Sequence, residues 1–297
     1  MAKAKAIVKR RKAVTNIEKI TRTMQLIATA KFQKTMHRAT ATQPYTEKLT
    51  ELVTHLSRQV TDVDHPLLRS EPVSGRAGVL VLTSNRGLCG GYNARLLDAG
   101  LNRLRESEKN LEIELDVSGK KGINYFRFLG REIRKSYTHL EDKVRFEEVE
   151  VLADEFIDRF SRRELDSVYV VYMKFQSVAR QVPTVIELLP MQAQTDADAD
   201  ESADKPAGGE AGVQYDFSPD PEALLAELLP ASVRTRLFQC FTDAAVSEQI
   251  ARMVAMKAAT DAAQDMIKIL TRTYNRARQT QITMELLDII GGSEAVS

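Results

Sequence analysis

The apolar residues at both ends of the chain follow a helical period. Near the N-terminus the stripe consists of Ile17, Ile20, Met24 and Ile27, at spacings of three and four. This spacing predicts one helix from Met1 to about Arg58. The segment contains no glycine, and Pro44 is its one proline, which predicts either a kink or a bend at that residue.

The C-terminal segment carries a longer periodic pattern, which begins after the stretch SPDPEALLAELLP. The register comprises Val246, Met253, Met256, Thr260, Ala263, Ile267, Leu270, Tyr274, Ala277, Gln281 and Met284. Its seven-residue period, interrupted in the early turns at Gln249, indicates the seam of a left-handed coiled coil. The N-terminal helix is the one plausible partner of equal length, so we expect the two ends of the chain to pair antiparallel.

Between these helices the pattern alternates. Strands are predicted at 77–84, 111–119, 166–175 and 181–190, and helices at 90–108, 120–130 and 149–165. Strands alternating with helices favour a layered domain with a mostly parallel sheet. The predicted fold class is therefore mixed α/β: a long antiparallel coiled coil of the terminal helices that protrudes from a small Rossmann-like α/β domain.

This pattern divides the chain into five segments. They are an N-terminal helix (1–60), a linker (61–76), a central α/β domain (77–192), an acidic insert (193–214), and a final segment that holds the C-terminal helix (215–297). The core of the insert, Gln194–Gly212, is acidic and lacks aromatic residues. It cannot bury enough apolar surface to become ordered, so we expect a mobile loop.

Composition excludes several classes of protein. Charged residues make up 28% of the chain, aromatic residues 6%, and tryptophan is absent, which is typical of a helix-rich globular protein. No run of apolar residues reaches the roughly 18 that a membrane span needs. Two distant cysteines and four scattered histidines form neither a disulfide framework nor a metal site, so we expect no metal and no cofactor.

A net charge of +1 conceals a strongly basic N-terminus. Residues 1–38 hold eleven basic residues against one acidic residue, and residues 194–222 hold nine acidic residues against one basic residue. A basic arm suggests an anionic partner such as nucleic acid, a membrane surface or an acidic protein face. It is also compatible with a mitochondrial targeting peptide, although the apolar period continues well beyond a usual presequence.

The glycine-rich stretch SNRGLCGGYNARL (Ser84–Leu96) follows a strand and opens a helix. Such a turn could cradle a phosphate at the helix N-terminus. It has neither the ending of a P-loop nor dinucleotide spacing. We therefore favour a tight turn in which Gly87, Gly90 and Gly91 allow close packing, with Cys89 as a small buried residue.

The end of the C-terminal helix is unusually apolar. Leu286, Leu287, Ile289 and Ile290 place four apolar side chains within five residues. A narrow coiled-coil seam cannot cover all of them, so an enclosing partner is predicted. Just before them lie Arg278, Gln279, Thr283 and Glu285, which periodicity alone would assign to a solvated helix face.

Four stretches together resemble the gamma subunit of the F-type ATP synthase over almost the whole chain. They are KITRTMQLIATAKF (19–32), SNRGLCGGYN (84–93), ARMVAMKAATDAA (251–263) and YNRARQTQITMELLDIIGG (274–292). The resemblance implies the central-stalk rotor, which transmits torque from the membrane c-ring to the catalytic beta subunits during ATP synthesis or hydrolysis coupled to proton transport. It implies no catalytic residue, cofactor or metal on this chain.

The same resemblance implies partners and a location. One copy of the chain would lie inside three alpha and three beta subunits, bind the epsilon subunit and rest on the c-ring. It would be a peripheral protein on the cytoplasmic side of the cell inner membrane, without a nucleic-acid partner.

Individual residues also take roles from the resemblance. Arg278, Gln279, Thr283 and Glu285 match the segment that contacts the beta subunit, and Met24 and Arg252 match positions that matter for coupling. The apolar end, Leu286 to Ile290, matches the bearing at the tip. A foot on the c-ring and epsilon subunit would be formed by Tyr215, Asp216, Phe217 and Ser218, although relatives often carry an acidic residue where Ser218 stands.

Two other classes of function compete with this interpretation. A nucleic-acid-binding coiled coil would explain the basic N-terminus but not the apolar tip, and duplex binding that weakens steeply with salt would identify it. An enzyme with a nucleotide at Gly87–Gly91 would bind ATP in equilibrium dialysis.

Overall fold

The computed structural model describes residues 2–59, 65–69, 71–108, 111–140, 144–191 and 221–294. The helices are α1 (Ala2–Gln59), α2 (Tyr92–Ser107), α3 (Lys120–Phe128), α4 (Phe146–Ser161) and α5 (Pro221–Glu294). The strands are β1 (Arg76–Leu82), β2 (Glu112–Ser118), β3 (Lys135–Tyr137), β4 (Ser167–Phe175) and β5 (Gln181–Leu189). A 3-10 turn lies at Pro66–Leu68.

The described residues form two compact units. One contains residues 1–30, 88–90 and 249–297, and the other contains residues 31–87 and 91–248. The helices α1 and α5 each contribute to both units.

The second unit is built on a five-stranded sheet of order β3-β2-β1-β4-β5. Strands β1 to β4 pair in parallel, and β5 pairs antiparallel with β4. The predicted mixed α/β fold with a mostly parallel sheet is confirmed. The short strand β3 was not predicted, because its three residues, Lys-Ser-Tyr, carry no apolar run.

Helices cover both faces of this sheet, as alternate residues of β1 show. Val81 meets Gly100 of α2, where an added Cβ would lie 3.5 Å from a Val81 methyl group. Leu80 and Leu82 instead belong to a buried cluster with α4 and the first part of α5. Phe156 of α4 anchors this cluster at 1% exposure. The hydrophobic core therefore lies on both faces of the sheet, as a parallel sheet requires.

The start of the last helix differs from the sequence prediction. We predicted that it begins after Pro230, but α5 begins at Pro221 and runs through Pro230. Four apolar side chains at spacings of four are fully buried in this stretch, at Leu225, Leu229, Val233 and Leu237. Their burial offsets the roughly 3 kcal/mol that an internal proline costs a helix. Helix α1 likewise continues through Pro44.

In the first unit α1 and α5 pair antiparallel, as predicted. Contacts join Arg11 to Tyr274 and Thr21 to Thr260, so residue numbers rise along one helix as they fall along the other. On α5 the predicted seam is confirmed from Met256 to Leu270, where Met256, Thr260, Ala263 and Leu270 are buried.

The predicted face of α1 is wrong. Ile17, Ile20 and Ile27 are 53%, 59% and 52% exposed, whereas Val14, Thr21 and Ala28 are buried. These three residues repeat every seven positions, as a coiled-coil seam requires. Small side chains allow the two helices to approach closely, which leaves the bulky isoleucines outside the seam.

Candidate functional site

The glycine-rich loop after β1 is closed by its own hydrogen bonds. The hydroxyl of Ser84 donates to the carbonyl of Arg86, and its backbone N–H donates to the side chain of Asn93. Cys89 is buried at 2% exposure, as predicted. Leu88 adopts a left-handed backbone with φ 65° and is 59% exposed.

The first turn of α3, beside this loop, has no free amide to offer an anion. The N–H groups of Lys120, Lys121 and Gly122 donate to Asn85 Oδ1, Ser84 O and Thr83 Oγ1, at 3.0, 3.1 and 2.9 Å. A phosphate at this helix N-terminus would have to break these bonds. These bonds hold residues 83–85 against the first turn of α3.

A cleft of about 420 Å³ lies at the amino ends of β1 and β4. Its lining carries both charge signs, because it includes Arg69 and Arg163 as well as Glu71 and Asp166. The Asp166 carboxylate accepts the backbone N–H groups of Val73, Ser74 and Gly75. Burial raises the pKa of Asp166, but these three bonds outweigh it and hold that pKa below its usual value. The carboxylate thus holds the backbone of residues 73–75, which lead into β1, in place.

Asp243 of α5 has a pKa that is shifted towards neutrality. Burial raises its pKa to about 7, against the lowering effects of Gln239, whose amide donates to it at 2.8 Å, and of Lys174. A raised folded-state pKa means that ionisation destabilises the fold, with no cost below about pH 4 and the full cost above about pH 7.

We therefore expect Asp243→Asn to gain stability relative to the parent chain as pH rises. The gain between pH 5 and pH 8 should be on the order of 1–2 kcal/mol, because partial solvent exposure screens the charge. Urea unfolding of both proteins at the two pH values measures it. Glu227→Gln, an exposed acid on the same helix, is the control, and an equal effect of both substitutions would contradict the assignment.

The predicted beta-contact residues lie on one exposed stretch of α5. Arg278, Gln279, Thr283 and Glu285 are all exposed. Thr283 donates to the carbonyl of Gln279, and Glu285 accepts the side-chain amide of Gln281 at 2.8 Å. Arg278 and Gln279 occupy neighbouring positions on this exposed stretch.

The apolar end of α5 is exposed as well. Leu286, Leu287, Ile289 and Ile290 are 53%, 57%, 71% and 49% exposed, and Ile282 and Met284 before them are 46% and 60% exposed. At 100° per residue these six side chains span more than half of the helix circumference. A surface this wide cannot be covered by a single partner helix.

The two predicted coupling residues differ in their surroundings. Met24 is half-buried on α1, three residues after the seam residue Thr21. Arg252 is only 7% exposed on α5, one turn before the seam residue Met256. The predicted foot residues Tyr215, Asp216, Phe217 and Ser218, and the acidic insert 193–214, lie outside the described residues.

In the described part of the chain, no three histidine, cysteine or acidic side chains are grouped so that they could hold a metal ion. No helix in those ranges combines the length and apolarity that crossing a bilayer requires.

Sequence comparison matches the whole chain to one family. The profile of a family described as ATP synthase matches residues 3–296. The ATP synthase gamma chain of Rhodopirellula baltica is 45% identical over 297 residues, covering 100% of this chain and 99% of that protein. The gamma chain of Leptospira biflexa is 40% identical, covering 100% of both.

Solved structures share the fold. A chain of the Euglena gracilis mitochondrial ATP synthase (OSCP/F1/c-ring) aligns with a TM-score of 0.64 at 17% identity, covering 99% of this chain and 95% of that one. A chain of the Tetrahymena thermophila central stalk and c-ring aligns with a TM-score of 0.58 at 18% identity, covering 81% and 99%. Together with the full-length sequence matches, the paired terminal helices and the five-stranded sheet establish that this chain belongs to the family of ATP synthase gamma chains.

Proposed function

We propose that this chain is the central-stalk rotor of an F-type ATP synthase. It transmits torque between a membrane c-ring and the catalytic beta subunits while ATP synthesis or hydrolysis is coupled to proton transport. The gamma chain is a subunit of that complex, and on this proposal ATP chemistry takes place on the beta subunits.

The observation that carries this proposal is the exposed apolar end of α5. Six large apolar side chains between Ile282 and Ile290 face outward, an arrangement that is unfavourable in water unless a partner encloses it. A sleeve of subunits around the helix would cover all sides at once. Apolar contacts also suit a turning surface, because they lack directional bonds that must break at every step.

The asymmetry of the helix pair explains how it would act on the subunits that surround it. Two antiparallel helices have no threefold symmetry, so each of three beta subunits would meet a different face. Contacts that differ between the three would stabilise a different conformation in each. Rotation would then carry every beta subunit through the same series of nucleotide affinities.

Specific contacts follow from the exposed polar stretch of α5. We assign Arg278, Gln279, Thr283 and Glu285 to contacts with a beta subunit, and Leu286, Leu287, Ile289 and Ile290 to the apolar bearing at the tip. Met24 and Arg252 are assigned to coupling. Single exposed polar contacts are worth about 1 kcal/mol or less, which allows them to be exchanged as the rotor turns.

The remaining partners follow from the same role. The proposed rotor is present once per complex with three alpha and three beta subunits, binds the epsilon subunit, and rests on the c-ring through Tyr215 to Ser218. It would be held peripherally at the cytoplasmic face of the cell inner membrane by these subunits. The segments 1–60, 61–76, 77–192, 193–214 and 215–297 are the proposed functional divisions.

Purification of the tagged chain in mild detergent tests this function. We expect alpha and beta subunits to co-purify, each in threefold excess over this chain. The test variant carries Leu287→Asn and Ile290→Asn, which removes apolar surface at the tip and should lower the yield of the complex. The matched control, Phe128→Asn with Val151→Asn, removes exposed apolar surface elsewhere and should not lower the yield. Recovery of the chain without these subunits would contradict the proposal.

Removing the polar contacts should lower turnover of the assembled complex. We expect Arg278→Ala with Gln279→Ala to reduce ATP hydrolysis about tenfold, because two hydrogen bonds, one to a charged group, are lost. Arg272→Ala with Asn275→Ala is the matched control, since it removes a guanidinium and a side-chain amide from exposed positions one to two turns earlier. Equal activity of the two variants would count against the assigned contacts.

A further inference from the structure

The paired helices contain a buried hydroxyl pair. The side chain of Thr260 on α5 lies 2.8 Å from that of Thr21 on α1, oxygen to oxygen. Thr21 is 9% exposed and Thr260 5% exposed. Each hydroxyl also lies within hydrogen-bonding distance of a carbonyl in its own helix, Thr21 of Glu18 at 3.0 Å and Thr260 of Met256 at 2.8 Å.

The hydrogen bond between the two hydroxyls can run in either direction, and in both cases each hydroxyl proton has an acceptor. Thr260 donates to Thr21 while Thr21 donates to the Glu18 carbonyl, or Thr21 donates to Thr260 while Thr260 donates to the Met256 carbonyl. In both cases one bond crosses between the helices and neither proton is left without an acceptor. The cross-helix bond therefore persists whichever way the protons point, without movement of the heavy atoms.

Shape alone does not distinguish two neighbouring residues of the α1 seam. The seam presents Ile7, Val14, Thr21 and Ala28 at intervals of seven. Valine and threonine have the same shape, so shifting α1 by one heptad, about 10.5 Å along the axis, can place Val14 at the position of Thr21 without a change in packed volume there. Such a shift moves Val14 or Ala28 opposite Thr260 and removes the cross-helix bond.

Two other polar contacts across the pair are weaker. The amide of Gln264 donates to Glu18 at 3.3 Å in an exposed position. The Arg11 guanidinium lies 5.5 Å from the centre of the Tyr274 ring, a contact worth about 0.5–1 kcal/mol at an exposed site. Water competes for both contacts. It competes least for the threonine pair, because both hydroxyls are buried.

We propose that Thr21 and Thr260 are positioning residues that lock the register of α1 against α5. A buried polar contact at a seam position selects one register at some cost in stability. The lock is a property of the helix pair itself. Its consequence for coupling rests on the proposed rotor function, because helices that can slip past one another transmit less rotation.

Disulfide trapping in the full chain tests the lock. Glu18→Cys with Gln264→Cys reports the native register, and Glu18→Cys with Thr271→Cys or Lys257→Cys reports a shift of one heptad. The native Cys89 and Cys240 are each 2% exposed and can remain. Each cysteine pair is introduced into four proteins. These are the parent chain, the valine pair (Thr21→Val with Thr260→Val), the serine pair (Thr21→Ser with Thr260→Ser) and the single variant Thr23→Val.

The valine pair should raise the shifted cross-link about fivefold, in line with loss of one hydrogen bond. The serine pair keeps both hydroxyls and should match the parent. Thr23→Val, which removes an exposed hydroxyl bonded to Lys19 of its own helix, should also match. Equal shifted cross-linking in the valine pair and in Thr23→Val overturns the lock.

Proton pumping per ATP, measured in vesicles that hold the assembled complex, separates the two proposals. We expect pumping per ATP to fall in the valine pair and to be retained in the serine pair. If the shifted cross-link forms while pumping stays fully coupled, the lock stands and its consequence for coupling is contradicted. The rotor proposal itself is contradicted if the parent chain is recovered without alpha and beta subunits.

Discussion

Gly119→Ala is expected to lower the free energy of unfolding by about 4 kcal/mol. Gly119 precedes α3 with φ 97°, and a Cβ there would lie 2.1 Å from the carbonyl oxygen of Thr83. Relieving this clash requires the backbone after β1 to separate from α3. The hydrogen bonds from Lys121 and Gly122 to Ser84 and Thr83 would then be lost.

Gly130→Ala is the matched control for this substitution. Gly130 also has a positive φ, 70°, but an added Cβ would meet nothing within 4 Å. Its cost should be only the backbone strain, about 1–2 kcal/mol. Urea unfolding of the two variants compares them directly, and similar losses would show that the close approach to Thr83 is unimportant.

Arg134→Met is expected to destabilise the fold by about 3–5 kcal/mol, because it leaves a buried carboxylate without its partner. Asp116 of β2 is 1% exposed. Its carboxylate receives two hydrogen bonds from the Arg134 guanidinium, which also bonds Glu155 of α4. Burial raises the pKa of Asp116, and Arg134 opposes that rise.

The pH dependence of this variant follows from the sign of that shift. Without Arg134 the pKa of Asp116 rises further, so ionising it costs more in the folded state. The loss caused by Arg134→Met should therefore be larger at pH 8 than at pH 5. Unfolding free energies at both values measure it, and adding Asp116→Asn should recover part of the loss.

Arg131→Met serves as the control for Arg134→Met. Arg131 pairs with Glu108 where the two side chains are 37% and 35% exposed, so its loss should cost no more than about 1 kcal/mol. If both arginine variants lost the same stability, burial of Asp116 would not be the cause.

Much of the candidate site could be read from local composition. Four apolar residues within Leu286–Ile290 exceed what a narrow seam can bury, and they are exposed in the structure. The exposure of Arg278 and Gln279 could be predicted because neither residue belongs to the seven-residue seam pattern of the C-terminal helix. The roles assigned to these residues came from family resemblance, because exposure does not reveal what binds a surface.

Other features could not be predicted from local pattern. Helix α5 runs through Pro230 because four side chains of that stretch fill the core beside the sheet, a gain that depends on distant residues. The glycine-rich loop is closed by side chains that meet α3, some 35 residues further along the chain.

By itself the sequence determined the class of fold, the antiparallel pairing of the chain ends and the apolar tip, because each is encoded in the periodicity or composition of the segments that form it. Only the tertiary structure decided which face of α1 enters the seam, in which register Thr21 meets Thr260, and which buried charges are paired. These features depend on how closely two distant segments approach, and that distance is set by the packing of the whole unit.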